Sequence, residues 1–485
     1  MNDLQKRTWA EINLENLRHN YRAIRATLPD GCRFLGVVKA DAYGHGALPV
    51  SRLLQAEGAD YLAVSCLDEA LELRGGGVTM PILILGHTPH EYTSVLIEQN
   101  ITQTVTCLAK ALEYSAEAVS LGKTLKIHIK LDTGMSRLGF LCDGTHFEEG
   151  VDNVIRSCTL PGIESEGVYT HFAVSDEPGE DCEKYTRDQF ALFCRVVDEV
   201  ETRGNIKFKI RHCANSGAVE SYPEMALDMV RPGLLLYGYG DTSGRMGLKP
   251  CMRLVSTVST IKIYDSGVSV SYGRRYVTER RTRMGVLAIG YADGLPRVIS
   301  NKCSFAAGNG FAPQRGSICM DMCMIDLTEL PEVDVGSEVE LFGERNSIYK
   351  LSDAAGTPDN CFTMLESVDM EFPVIRSEQG EEVRLTHGNY ALFRVSADQR
   401  VRKEAFEAYH GTFQNYLNTI AALYAGSVKL DDYYTRARGY DSACARALFA
   451  SNVPLSVYDS LVEAVHGGLG TMKQYLQLRK KVLGL

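Results

Sequence analysis

The feature that most constrains this chain is an alternation across its first 240 residues. Short apolar, β-rich runs are each followed by a stretch with apolar residues at three- and four-residue spacing. The runs are Phe34–Val38, Tyr61–Ser65, Ile82–Leu85, Gln103–Cys107, Leu125–Leu131, Glu164–Thr170, Lys207–His212 and Ala226–Val230, eight in all. The spacing predicts helices between them, as at Leu48–Glu57, Ala109–Ser120 and Glu183–Arg203. Strands this apolar are buried on both faces, and eight such units fit a closed parallel barrel better than an open sheet. Chemistry in such barrels sits at the carboxyl ends of the strands, so the residues after each run matter most.

From about Lys249 to Arg376 the texture changes. Strand-like segments such as Val255–Ile263, Gly285–Ile289 and Val339–Phe342 are separated by turns and charge clusters, which reads as an antiparallel β domain. Residues 400–485 carry eleven Lys/Arg against seven Asp/Glu, a net +4, although the whole chain is −10. Phe406–Ala425 and Leu455–His466 read as amphipathic helices there, and tyrosines such as Tyr409 and Tyr416 fall at packing spacing. The expected organisation is an α/β chain: a (β/α)8 TIM-like barrel over 13–243, a mostly antiparallel β domain from 1–12 plus 244–376, and a small α-helical C-terminal domain over 377–485 with no assigned role.

Charge and composition exclude several function classes. A net charge of −10 argues against a broad nucleic-acid surface. No apolar run approaches the roughly 20 residues of a membrane span. Met1 to Trp9 has no apolar signal-peptide core, so a cytoplasmic location is expected. The fourteen cysteines are scattered singly with no CxxC, which suits buried thiols better than disulfides or zinc. The Gly-rich stretch from Gly238 to Gly244 precedes no helix pattern and reads as a turn, not a nucleotide loop.

Several strand ends carry chemistry-bearing residues. Lys39 follows the first run, in Val37-Val38-Lys39-Ala40-Asp41-Ala42-Tyr43-Gly44-His45-Gly46. A charge at that boundary is costly unless used or paired. Partial desolvation lowers a lysine's pKa and makes the amine nucleophilic, as bonding to a carbonyl requires. Lys130 and Arg137 lie in Lys130-Leu131-Asp132-Thr133-Gly134-Met135-Ser136-Arg137-Leu138-Gly139 after the fifth run, and His171 in Tyr169-Thr170-His171 ends the sixth. After the seventh, Asn215-Ser216 can supply a hydroxyl and N–H groups at a helix start, a natural phosphate site. After the eighth come Arg231, Gly233, which permits close backbone approach, and Leu234. Taken singly, Lys39 reads as a strand-capping lysine, His171 as a structural histidine, Asn215-Ser216 as an N-cap and Tyr272 as a strand tyrosine.

In order along residues 8 to about 376, these segments resemble the alanine racemases, enzymes of the class with a barrel N-terminal domain and a β C-terminal domain. The last hundred residues are not covered. The resemblance implies pyridoxal 5'-phosphate (PLP) held covalently by Lys39, with Tyr43, Arg137, His171, Asn215, Ser216, Arg231, Gly233 and Leu234 around it. It gives Arg137 to the cofactor's phenolic oxygen, His171 to the ring face, and Arg231 to the ring nitrogen, which stays unprotonated so that transamination is discouraged. It also implies two bases, Lys39 for the D-face and Tyr272, in Val270-Ser271-Tyr272-Gly273, for the L-face. Arg137, Tyr291 and Met320 turn toward the substrate. Lys130 matches a lysine that is carbamylated in many members, and a plain lysine there stays equally open. Since the second base comes from the partner subunit in the family, a homodimer with shared sites is implied.

Two departures touch the substrate entrance. Leu365 to Arg376 stands where the family closes its β domain, one residue short and without its entrance tyrosine. Ser317 replaces an arginine usual two residues before Cys319-Met320-Asp321. The expected activity is two-base interconversion of L- and D-alanine by an isomerase whose partner is a small amino acid. A racemase of serine or another amino acid, and a non-catalytic PLP-binding sensor using the tail as its output, stand as alternatives. An amino-acid decarboxylase of the same architecture is disfavoured, because no Cys-Gly-Glu-Ser-type segment occurs. The C-terminal extension is expected to be dispensable for chemistry, its positive charge docking on the acidic body.

Overall fold

The computed structural model describes residues 7–241, 243–355, 372–417, 420–421, 424–425, 427–428, 435, 440–449 and 453–483. The chain divides into two compact units, one comprising Met1–Ile261, Ser304–Ala312 and Leu327–Ser347, the other Lys262–Cys303, Pro313–Asp326 and Ile348–Leu485.

The first unit is built on eight parallel strands: β1 (Arg33–Val37), β2 (Tyr61–Val64), β3 (Ile82–Ile84), β4 (Ile101–Val105), β5 (Leu125–Asp132), β6 (Ile163–Tyr169), β7 (Ile210–His212) and β8 (Met229–Val230). They pair in chain order, and β8 pairs with β1 at Val230↔Phe34. Between β7 and β8 the ring is closed by Asp228 N–H donating to Arg211 O (3.1 Å) and Arg231 N–H to Ala214 O (2.9 Å). The period-two alternation of strands explains the two cores. Phe34, Leu62, Ile82, Ile127 and Ile129 face outward into the main core under the helices, while Leu35, Tyr61, Ala63, Leu83, Ile210 and Met229 form a small inner cluster. On β5 the same alternation sends His128 and Lys130 inward, both buried.

Strand β4 begins and ends two residues before the predicted run, because Cys107 is extended and caps the helix Leu108–Ser120. Strand β8 shrinks to two residues because Pro223–Met225 form a 3-10 turn upstream. The unit also holds antiparallel strands. Thr8–Ile12 pairs with Met252–Tyr264 at Ile12↔Met252, that strand pairs with Glu338–Phe342, and Glu338–Phe342 pairs with Ser304–Ala307.

In the second unit, Thr282–Leu287 pairs antiparallel with Cys323–Asp326, which pairs with Gly310–Arg315 at Gln314↔Ile325. The hairpin Val374–Arg376/Glu382–Arg384 turns through Ser377, so a domain boundary placed there would cut paired strands. Helices His387–Arg394 and Gln399–Asn415 follow, capped by Thr386 and Asp398. Phe372, Ile375, Leu385 and Ala405 form their core, with Tyr409 and Tyr416 packed against it. The second helix starts at Gln399 and not Phe406, because Asp398 accepts from Arg400 N–H (2.8 Å). Positions 418, 419, 422 and 423 of the expected Phe406–Ala425 helix, and 365–371 of the expected closing segment, lie outside the described residues. The helix expected over Leu455–His466 runs on to Leu483, straight through Gly467, Gly468 and Gly470. Among the described residues no helix is long and apolar enough to cross a membrane.

Candidate active site

The carboxyl ends of the barrel strands surround a cavity of about 380 Å³, lined by Lys39, Tyr43, Lys130, Arg137, Tyr169, His171, Asn215, Ser216, Arg231, Gly233 and Leu234 among others. Every barrel residue singled out in the sequence thus borders one space.

Lys39 reaches it through an unusual turn. Ala40, Asp41, Ala42 and Tyr43 all have φ between 52 and 56°, a left-handed turn without a glycine. Such conformations cost roughly 1–2 kcal/mol per residue. The turn is held by Ala40 N–H to Glu69 Oε1 (2.7 Å), Ala42 N–H to Val38 O (2.9 Å) and Ala47 N–H to Asp41 Oδ1 (2.6 Å). It brings both Lys39 and Tyr43 to the cavity. Burial, then the nearby Arg137, lowers the Lys39 pKa.

Opposite lies a backbone cradle. Asn215 caps the short helix Ser216–Ser221, accepting from Ala218 N–H (3.1 Å) and from the Ser175 hydroxyl (2.7 Å). The Ser216 hydroxyl accepts from Gly233 N–H at 2.9 Å. A Cβ at Gly233 would stand 2.9 Å from the Tyr43 hydroxyl, so a side chain here would displace Tyr43 from the cradle.

The walls are cationic. Lys130 and Arg231 are each 4 % exposed, and among the described residues neither has a carboxylate within ion-pair distance. Burial, then Arg231 and Arg137, pulls the Lys130 amine down to about 7. Burial, then Arg231, holds His171 at about 2, so its imidazole is neutral. Arg231 donates to Thr170 O (2.8 Å), Cys213 O (3.1 Å), His171 Nδ1 (3.2 Å) and His212 Nδ1 (3.1 Å). Burial lowers its pKa too, yet an arginine stays a cation in proteins.

A polar chain unforeseen in the sequence runs from Arg231 across the barrel interior. Arginine only donates, so His212 accepts at Nδ1 and carries its proton on Nε2, which donates to His128 Nδ1 at 2.9 Å. His128 therefore carries its proton on Nε2, 3.6 Å from Glu166 Oε2, and the Tyr61 hydroxyl donates to the same carboxylate. His128, and after it Tyr61, hold the Glu166 carboxyl down to about 2 against the opposing effect of burial. A Cβ at Gly167 would stand 2.6 Å from the His128 ring, so that glycine makes the imidazole's room. The available signal was polar residues at inward positions of apolar strands, as in Leu125-Lys126-Ile127-His128-Ile129-Lys130.

Tyr272, Tyr291 and Met320 are carried by the second unit, where they share one patch. Tyr291 and Ala292 N–H donate to Cys319 O (3.0 Å) and Met320 O (2.9 Å). The Ser271 hydroxyl donates to Ser317 O (2.6 Å), and the Ser317 hydroxyl to Tyr272 O (2.7 Å). The serine standing in place of an arginine thus props the Tyr272 turn, where Ser271 has φ 64°. Tyr272 is 68 % and Met320 53 % exposed.

Known proteins resemble this chain in sequence and fold. Residues 12–241 match the family model described as alanine racemase, N-terminal domain, and residues 251–368 match alanine racemase, C-terminal domain. An alanine racemase of Clostridium tetani is 40% identical over 391 residues, covering 80% of this chain and 97% of that protein. Among solved structures, alanine racemase of Clostridium difficile 630 superposes with a TM-score of 0.67 at 38% identity, covering 73% of this chain and 92% of that one. A Bacillus anthracis alanine racemase with bound L-Ala-P gives 0.62 at 30% identity, covering 80% and 99%.

Proposed function

The chain belongs to the alanine racemase family, and from that premise we propose that it interconverts L- and D-alanine with pyridoxal 5'-phosphate as cofactor, as a homodimer with shared sites. The observation that carries this reading is the cavity itself. It joins a desolvated lysine to a glycine-shaped backbone cradle and to the buried Lys130 and Arg231, which among the described residues have no carboxylate within ion-pair distance. That donor set fits an anionic phosphate, a phenolic oxygen and an aldehyde.

Ser216 and the N–H of Gly233 would hold the phosphate, with Tyr43 beside it. Arg137 would face the phenolic oxygen, His171 the ring and Arg231 the ring nitrogen. When bound, the cofactor supplies an electron-withdrawing ring system that acidifies the Cα–H of an attached amino acid. A guanidinium donates a hydrogen bond to the ring nitrogen but gives up no proton, which limits how much charge the ring draws off. Lys39 Nζ, its basicity reduced by burial, takes or returns the Cα proton on one face. The Tyr272 hydroxyl of the partner subunit does so on the other, and the exposure of Tyr272 and Met320 supports supply across a dimer. Lys130 is proposed to be carbamylated. An amine near pKa 7 is substantially unprotonated at neutral pH, and it adds carbon dioxide with loss of one proton to give an anion among Arg137 and Arg231. A carbamate 13C resonance from labelled bicarbonate, absent in Lys130→Ala, tests this.

The central experiment is incubation of PLP-loaded protein with each L-amino acid in heavy water, reading α-deuteration and chirality together. Deuterated D-alanine is the expected product. Faster exchange of serine than alanine would move the assignment to serine, carbon dioxide release from lysine or ornithine to a decarboxylase, and no exchange on any amino acid to a sensor.

A further inference from the structure

The helix Leu455–Leu483 is 29 residues long, about 43 Å at 1.5 Å per residue, and its described side chains are all exposed. Neither family model reaches past residue 368, so nothing in the alanine racemase reading employs it. Its sequence is not that of a solvated helix. Tyr458, Val462, Val465, Leu469, Met472 and Leu476 recur at alternating spacings of four and three, the seam of a coiled coil. These six side chains are 37 to 56 % exposed, one continuous apolar stripe facing water. Gly467, Gly468 and Gly470 lie in its middle with nothing within 4 Å of where a Cβ would be. Glycines weaken a helix standing alone, and isolated helices are marginal even without them. A helix of this kind holds when a second surface covers its stripe.

The charges say which surface. The amino-terminal half carries Asp459 and Glu463, and the carboxyl-terminal half carries Lys473, Arg479, Lys480 and Lys481. Side by side in parallel, two copies would set like charge on like. Antiparallel, each acidic half lies along the partner's basic half, and the helix dipoles are opposed favourably as well. A membrane-surface helix would instead carry basic residues along its whole polar face. We propose that Leu455–Leu483 pairs antiparallel with the same helix of a second copy of this chain, a contact between copies separate from the racemase site. A twofold axis through the pair makes the contact self-complementary and closed. This inference does not rest on the racemase reading, since the stripe and its charge asymmetry stand whatever the barrel catalyses.

The test uses the full-length protein with a photocrosslinking benzoylphenylalanine at position 469, in a mixture of isotopically light and heavy copies. With a second probe at position 462, the expected light–heavy crosslink runs from 462 to the partner helix around Leu476, whereas a parallel pair would join 462 to the partner's own 462 region. Asp459→Lys with Glu463→Lys should lower its yield severalfold, and adding Lys473→Glu with Lys480→Glu in the same chain, which cancels the carboxyl-terminal half's net charge, should recover part of it. Parallel pairing would show no such loss from the first swap, which leaves like charge facing like. Crosslinks only within one copy, crosslinks to another region, no crosslink, loss without rescue, or recovery on phosphatidylglycerol vesicles in place of a paired helix would each overturn the proposal.

Discussion

The barrel interior and the C-terminal helix depart from ordinary burial in opposite directions. Among the described residues the barrel buries Lys130 and Arg231 with no carboxylate within ion-pair distance of either, while the helix Leu455–Leu483 holds Leu469 and Leu476 in water. Each departure is costly within a single chain: an unpaired buried charge seeks an anion, and exposed apolar surface seeks cover. Both read as places where something other than the single chain completes the structure. The barrel interior favours a small anion, and the helix a second apolar surface.

Substitutions separate the two regions by what they disturb. Lys39→Ala should have the largest effect, more than about 10⁴-fold on racemisation, because it removes the attachment point together with an acid–base group worth about 10²–10⁴-fold alone. Borohydride reduction and peptide mapping should place the pyridoxyl group on Lys39, and a label on another lysine would end that assignment. Tyr272→Phe should slow proton removal from L-alanine by about 10²–10⁴-fold and from D-alanine far less. Equal small losses in both directions would make Tyr272 structural. Refolded together, the two inactive variants should recover up to about a quarter of wild-type activity by statistical pairing in a twofold dimer. Mixed dimers without recovery would refute shared sites.

Acid should expose the barrel's buried polar chain next. His128, His171 and His212 have pKa values lowered by burial, so the unfolded chain binds protons there that the folded one does not. Their stabilising contribution is complete above the ordinary value of 6.5 and is lost as pH falls below it, at up to about 1.4 kcal/mol per pH unit for each histidine. Glu166, depressed from 4.5 to about 2, adds a further loss across that interval. Urea midpoints from pH 7.5 downward should fall accordingly, and a flat profile would mean these histidines take up protons as readily in the fold as in the unfolded chain. Glu166→Leu removes the only carboxylate that faces His128 among the described ion pairs and should cost about 1–3 kcal/mol, with Glu166→Gln milder because it keeps an acceptor. The smallest effect belongs to the tail. Leu469→Lys should leave turnover and barrel stability within about 0.5 kcal/mol while abolishing the helix contact. Lost turnover would tie the two regions together.

Much of the site was legible residue by residue. Lys39, Arg137, His171, Ser216, Arg231 and Gly233 stand at strand ends, and all border one cavity. The chain Arg231–His212–His128–Glu166–Tyr61 was not, and neither was the extent of the last helix, whose central glycines read locally as a stop.

By itself the sequence determined the eight strand runs and the reactive residues at their ends. Those are matters of period and local chemistry, fixed by a few neighbouring side chains. Only the tertiary structure decided that Tyr61, His128, Glu166, His212 and Arg231, drawn from β2, β5, β6 and β7 and the end of β8, share one interior. The physical reason is closure. Inward-facing positions far apart along the chain become hydrogen-bonding neighbours only when the last strand meets the first.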